Sequence, residues 1–194
     1  MRIRGLEMGE SKVYLYKIVL LGDGMVGKTT LRRVFMGKGF RDTYIMTFGC
    51  DFAVKDVVIE GGIRVRLQIW DLAGQPSFEN IRKNYYKGSK GALLVYDTTR
   101  RETLKHIPLW VKELFSNIKN RKIPIILVGN KIDLRKGKEN YVSTEEGLKM
   151  QKELQENFKL KVLFIETSAK TGENVNAAFK ILAKEILQKH KTGY

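Results

Sequence analysis

Residues 22–29 read Gly-Asp-Gly-Met-Val-Gly-Lys-Thr: two glycines bracket four residues and are followed at once by Lys and Thr. That spacing suits a polyphosphate. The backbone N–H groups of Gly22, Asp23, Gly24, Met25, Val26 and Gly27 can curl around phosphate oxygens, and a following helix would add its positive dipole end. Lys28 then reaches the terminal phosphates. The Thr29 hydroxyl falls where a phosphate-bound Mg²⁺ would sit, and Thr30 is counted with the nucleotide-binding residues. The loop alone does not choose between adenine and guanine.

Discrimination between bases is expected further along the chain. The apolar run at residues 123–128 ends in Gly-Asn-Lys-Ile-Asp, supplying Asn130, Lys131 and Asp133. A carboxylate there can accept from the ring N–H and exocyclic amine of guanine, whereas adenine presents an acceptor at that ring nitrogen. Asp133 would be left unpaired, and such a mismatch costs a large discrimination factor. A second run, residues 162–166, ends in Thr-Ser-Ala-Lys. It offers Ser168, Ala169 and Lys170, with the Ala169 N–H as a donor to the guanine oxygen. Between these segments lies Trp-Asp-Leu-Ala-Gly-Gln at residues 70–75. Here Asp71 can hold a water of the Mg²⁺ shell, the Gly74 N–H can sense a γ-phosphate, and Gln75 can orient an attacking water. Thr47 reads locally as an ordinary loop hydroxyl; its position also lets it complete the Mg²⁺ shell only when the γ-phosphate is present.

These groups need strand ends and helix starts to hold them. Residues 14–21 (YLYKIVLL) form an apolar, β-branched run that stops at the glycine-rich turn, as a buried strand feeding a helix does. Alternating segments at residues 51–59 and 63–70, joined by Glu60, Gly61 and Gly62, predict a hairpin. Further strands are expected at 92–96, 123–128 and 162–166, and helices at 28–36, within 78–88, and at 103–117, 144–158 and 175–189. The order predicts an α/β fold: a mainly parallel six-stranded sheet with one antiparallel strand and helices on both faces. In such sheets ligands bind beyond the C-terminal strand ends. The last helix carries Val175, Phe179, Leu182, Ile186 and Leu187 on one stripe, which reads as core packing.

Composition sets the frame. The 194 residues, 43% of them hydrophobic, suffice for one sizeable core. No repeat or Gly/Ser-rich linker divides them. The expected organisation is an N-terminal extension (1–13), one domain (14–190) and a short tail (191–194). A single cysteine, Cys50, excludes an internal disulfide and fits a reducing, intracellular, cytoplasmic setting. Residues 1–12 do not read as a signal peptide, and no apolar run approaches the roughly 20 residues of a spanning helix. The net charge of +15 is dispersed. It reads as a solvated basic surface without a specific nucleic-acid site, compatible with weak contact to anionic membranes.

Taken together and in this order, the stretches at 22–29, 47–52, 70–75, 129–133 and 167–170 resemble the Ras superfamily of small GTPases, over about residues 14–190. The surrounding text, such as TFGCDF, LQIWD, YYKGSKGA, VYDTT and FIETSAKTGENV, is most similar to the Rab branch, while the phosphate loop itself reads more like the Rho branch. The resemblance implies GTP or GDP with Mg²⁺ as ligands, and slow hydrolysis of GTP. It places Phe40 as the aromatic ring stacked on guanine, and Phe52, Trp70 and Tyr85 as the effector-facing triad; by sequence alone all four read as core or turn aromatics. It also implies mobile regions at 40–49 and 73–85, and exchange factors, GTPase-activating proteins and effectors as partners; a monomer is the default expectation. Three residues depart from the family's habit: Met25 replaces a small residue, Leu72 replaces Thr, and Pro76 replaces Glu. No cysteine lies among residues 189–194 and no glycine follows Met1, so neither a prenyl nor a myristoyl anchor is expected of this sequence.

The expected activity is therefore that of a GTPase switch with Gln75 and Lys28 as its catalytic residues. Its intrinsic rate would be slow because no arginine is evidently placed to act in cis. Two rivals stand beside it: a guanine-nucleotide-dependent binding module with negligible hydrolysis, and an ATP-using kinase, against which Asn130, Lys131 and Asp133 argue.

Overall fold

The computed structural model describes residues 12–40, 46–135 and 141–192. Expectations placed on the N-terminal extension, on residues 41–45 of the first mobile region and on the end of the tail lie outside the described residues. Strand β1 (Val13–Leu21) leads through the phosphate loop into helix α1 (Lys28–Phe35). Next come β2 (Cys50–Val58), β3 (Arg64–Leu72), α2 (Glu79–Tyr86) and β4 (Gly91–Asp97). They are followed by α3 (Arg101–Lys105), α4 (Ile107–Asn117), β5 (Ile125–Asn130), α5 (Thr144–Phe158), β6 (Val162–Thr167) and α6 (Val175–Thr192).

The strands form one six-stranded sheet in the order β2-β3-β1-β4-β5-β6. Only the β2–β3 pair is antiparallel. This is the expected α/β architecture. Its helices cover both faces, so the inner strands β4 and β5 are buried along their whole length. Side-chain alternation splits each strand between two cores. Ile18, Leu20, Leu93, Val95, Ile126 and Val128 pack toward α1 and α6, where Phe35 and Phe179 stack with centroids 3.9 Å apart. Val19, Leu21, Leu94, Ile125 and Leu127 pack toward Trp110, Val111, Leu114 and Leu154 on the opposite face. The apolar stripe of α6 is buried, as expected of core packing.

One element differs from the pattern read in the sequence. The helix expected at 103–117 is two helices, α3 and α4, which meet at His106. Pro108 sits in the first turn of α4. It has no N–H to offer the preceding turn, so a continuous helix would lose a bond there. At α5 the expected start holds: Ser143 accepts from the Glu146 N–H, and Glu146 reaches back to the Ser143 N–H in a capping box. Among the described residues, no helix is long and apolar enough to cross a membrane.

Candidate functional site

The parallel register brings the C-terminal ends of the central strands level. Asp97 of β4 lies opposite Asn130 of β5, which lies opposite Thr167 of β6, while Asp71 of β3 pairs with Leu20 of β1. Above these ends opens a cavity of about 690 Å³. It is lined by, among others, Gly24, Lys28, Thr29, Asp133 and Lys170. Phe40, Thr47, Gly74, Gln75, Asn130, Lys131 and Ala169 line it as well. Residues far apart in the chain and singled out by type and spacing therefore share one concavity.

The phosphate loop has the backbone that a nest of N–H groups needs. Gly27 has φ of +99°, and a Cβ there would come within 2.3 Å of the Asn130 amide nitrogen. Lys28 is buried and folds back on the loop, donating to the carbonyls of Gly22 (2.6 Å) and Asp23 (2.7 Å). Burial pulls its pKa down to about 8, against the attraction of Asp71 and Asp23. Met25 also has positive φ, but its side chain is exposed, so the loop accommodates the larger residue by turning it to solvent.

Opposite the loop stands the end of β3. Gly74 runs so close to it that a Cβ would meet the Asp23 carbonyl carbon at 2.4 Å. Thr29 Oγ1 lies 2.9 Å from Thr47 Oγ1. Asp71 is fully buried, and neither of its carboxylate oxygens has a hydrogen-bond partner among the described residues. Burial pushes its pKa up, while the Lys28 charge pulls it back. The Gln75 Oε1 is likewise buried and unpartnered, and a Cβ on Gly24 would lie 3.8 Å from its amide nitrogen. Two facing hydroxyls beside an orphaned carboxylate fit a hard divalent cation held by oxygen. No cluster of three or more His, Cys, Asp or Glu side chains exists among the described residues, so such an ion would rely on phosphate oxygens for the rest of its shell.

The other side of the cavity is wired internally. Asn130 is buried; its amide nitrogen donates to the Val26 carbonyl (2.9 Å), and its Oδ1 accepts from Thr167 Oγ1 and the Ala169 N–H, both at 3.1 Å. The Ala169 N–H expected to face the guanine oxygen is thus engaged by Asn130 here. Asn130 itself fastens the phosphate loop to the 167–170 turn. Lys131, at φ of +72°, donates to Asp97 Oδ2 (2.6 Å). The Asp133 Oδ1 accepts from the Ser168 hydroxyl (2.6 Å), which fixes the carboxylate at the cavity rim.

Several contacts at this site were not foreseen. Asp97 ends a buried strand just as Asp71 does, which was the available signal. Burial alone would raise its pKa, but bonds from Lys131 and Thr99 hold it below the usual carboxylate range. Arg100 donates to both Asp97 (3.0 Å) and the Gly24 carbonyl (2.8 Å), so one arginine does touch the phosphate loop, from outside the cavity lining. Trp110 Nε1 donates to Asp23 Oδ1 (2.8 Å), and His106 Nδ1 lies 2.7 Å from Asp23 Oδ2. The break between α3 and α4 sets both at that carboxylate. Arg82, nearly inaccessible, donates to the carbonyls of Ala73 (3.0 Å) and Gln75 (2.7 Å), and bidentately to Glu113 at 2.8 Å. It thereby clamps the Gln75 segment to α4.

Of the four aromatics, Phe40 is exposed at the cavity. Phe52, also exposed, stands 4.9 Å from Trp70, which stands 5.4 Å from Tyr85. The three make one continuous row that runs from exposed Phe52 to Trp70 and Tyr85, which are half-buried and pack against the core. Residues 17–188 match the family model described as Ras family.

Proposed function

From the Ras family, to which this chain belongs, we propose a switch that holds GTP or GDP together with Mg²⁺ and hydrolyses GTP slowly. Membership makes it a small GTPase of the guanine-nucleotide-binding kind; the metal, the hydrolysis and the residue roles are our reading. The observation that carries it is the cavity shared by Lys28, Gln75 and the Thr29–Thr47 hydroxyl pair, with the sealed Asp71 carboxylate beside Lys28 and Thr29, and with the buried Gln75 and Asp71 oxygens lacking hydrogen-bond partners among the described residues. Buried polar atoms without partners cost free energy unless a ligand satisfies them.

In this reading the loop N–H groups and Lys28 stabilise phosphate charge. Thr29 and Thr47 would hold Mg²⁺ directly and Asp71 would hold it through water, the ion neutralising charge on the β- and γ-phosphate oxygens. Gln75 orients the attacking water, and the Gly74 N–H senses the γ-phosphate. Asp133 selects guanine, Lys131 and Phe40 pack on the nucleotide, and Ser168 and Lys170 frame the base. Arg100 points its guanidinium at a loop carbonyl and at Asp97, so it fastens the loop and leaves transition-state charge to a partner. We therefore propose a slow intrinsic rate that a GTPase-activating protein raises. An exchange factor and effectors act at the switch segments and the Phe52, Trp70 and Tyr85 row, in a Rab-like regulatory role. The domain acts as a monomer in the cytoplasm, with its basic surface available to anionic membranes.

Single-turnover assays with GTP beside ATP, with and without Mg²⁺, test this reading. GTP should be bound and cleaved only with Mg²⁺, and Asp133→Ala should lower the preference for guanine by on the order of a hundredfold, as loss of a charged hydrogen-bond pair does. Equal use of ATP would remove the base-recognition argument. Tight GTP binding without cleavage would favour a non-hydrolysing binding module.

A further inference from the structure

The metal-side carboxylate has a second cation beside it that the proposed chemistry does not use. Arg32 lies one turn beyond Lys28 on α1 and is buried. Its Nε stands 3.7 Å from Asp71 Oδ2 and has no hydrogen-bond partner, while one terminal nitrogen pairs with Asp51 Oδ2. Asp51 and Asp71 are directly opposed in the antiparallel β2–β3 pair. Directly opposed residues share a sheet face, and like charges so placed repel. Arg32 descends between them. One of its two carboxylates is sealed from solvent; the other is half exposed, with 52% of its side chain accessible.

We infer that Arg32 is a resident cation that competes with Mg²⁺ for Asp71, and that Asp51 sets how far it competes. The inference rests on the metal reading above. Without the ion, Arg32 and Lys28 compensate the buried Asp71 charge, so the metal-free state is less costly than an isolated buried carboxylate would make it. With the ion present, the guanidinium is a neighbouring like charge and weakens its hold. Asp51 draws Arg32 away from Asp71 toward the start of β2, just beyond Thr47. Mg²⁺ retention is thereby coupled to the position of the segment that carries Thr47. Arg32 also lines the cavity, and in this scheme it is a positioning residue that acts on the metal through Asp71.

The test is the Mg²⁺ dependence of the release of a fluorescent methylanthraniloyl-GDP, measured on the whole chain. Arg32→Leu keeps helix propensity and should lower the half-saturating Mg²⁺ concentration about tenfold, a usual size for coupling between adjacent sites. Arg32→Lys, which keeps the charge, should stay within about threefold of the parent. Asp51→Asn should move the value the other way, upward by about threefold, because Arg32 then turns wholly to Asp71. Melting curves in EDTA and in Mg²⁺ give a readout independent of nucleotide release: Arg32→Leu should lose more stability in EDTA than in Mg²⁺. A purely structural arginine would instead lose equally in both. An Arg32→Leu variant that binds GDP with unchanged Mg²⁺ dependence overturns the inference and leaves the metal reading intact. Should that variant fail to fold, unchanged Mg²⁺ dependence in Asp51→Asn overturns it. A parent whose GDP release ignores Mg²⁺ overturns the metal reading, and this inference with it.

Discussion

The two sides of the cavity are built on opposite plans. Beyond β5 and β6, Asn130 bonds the loop carbonyl of Val26 and the Ala169 N–H, Lys131 bonds Asp97, and Ser168 bonds Asp133, so that side is already assembled. Beyond β3, buried oxygens of Asp71 and Gln75 have no hydrogen-bond partner among the described residues, and the nearby Phe48 is 73% exposed. Satisfied polar networks rigidify, whereas unsatisfied ones store a cost that a bound group can relieve. The molecule thus separates a preorganised face, whose polar groups satisfy one another, from a face whose buried oxygens lack hydrogen-bond partners among the described residues. Arg82 moderates the contrast by tying the carbonyls of Ala73 and Gln75 to Glu113, which limits the second face to a few arrangements.

The sharpest way to break the preorganised face is Asn130→Ala. It would strand the Val26 carbonyl, the Thr167 hydroxyl and the Ala169 N–H, and should cost about 3 kcal/mol of stability, read as a lower denaturation midpoint together with weakened nucleotide binding. On the waiting face, Gln75→Leu should behave differently. Replacing an amide whose buried oxygen has no hydrogen-bond partner among the described residues with an apolar group leaves stability unchanged or slightly higher, while single-turnover GTP hydrolysis slows by about 2 kcal/mol, roughly thirtyfold. Stability loss without a rate change would invert the comparison.

The pH response of Lys28 sharpens it further. The buried amine, with its pKa at about 8, has to be protonated to meet phosphate. GTP affinity should therefore fall above that pH by up to about tenfold per unit. Calorimetry in buffers of different ionisation enthalpy would register the accompanying proton uptake. The ligand-free protein should respond in the opposite sense. Between about 8 and the ordinary lysine range the unfolded chain holds a proton that the folded one lacks, so stability rises with pH across that window. The smallest effect is expected of Trp110→Phe, which removes one donor from Asp23 and keeps the aromatic packing. It should cost about 1 kcal/mol in a denaturation series and leave guanine preference unaltered.

Much of the site could be read before folding because its chemistry is local in sequence. A phosphate nest is a run of consecutive N–H groups, and Gly22 through Thr29 carry it within one turn. The strands were legible from their apolar periodicity, continuous in the buried inner strands and alternating in β3, so Asp71 could be placed at the end of β3 and Asp133 in the turn just beyond β5. The aromatic row was less legible: Phe52, Trp70 and Tyr85 have the composition of core residues, Trp70 and Tyr85 do pack partly against the core, and nothing in the local sequence marks Phe52 as exposed. Asp97 could have been found, being another carboxylate at the end of an apolar run. Arg32 could not, since an arginine one turn beyond Lys28 says nothing of the two carboxylates that meet it.

By itself, then, the sequence determined the α/β class, the phosphate loop and the grouping of Asn130, Lys131, Asp133, Ser168 and Ala169 beyond two neighbouring strands. These follow from periodicity and from groups a few positions apart, where covalent geometry limits the outcomes. Only the tertiary structure decided the strand order, the meeting of Trp110 with Asp23, and the division of the cavity into a satisfied and an unsatisfied side. Those features depend on contacts between segments tens of residues apart. Such contacts form only when the packing of two cores selects one arrangement of the chain, and local propensity carries no record of that choice.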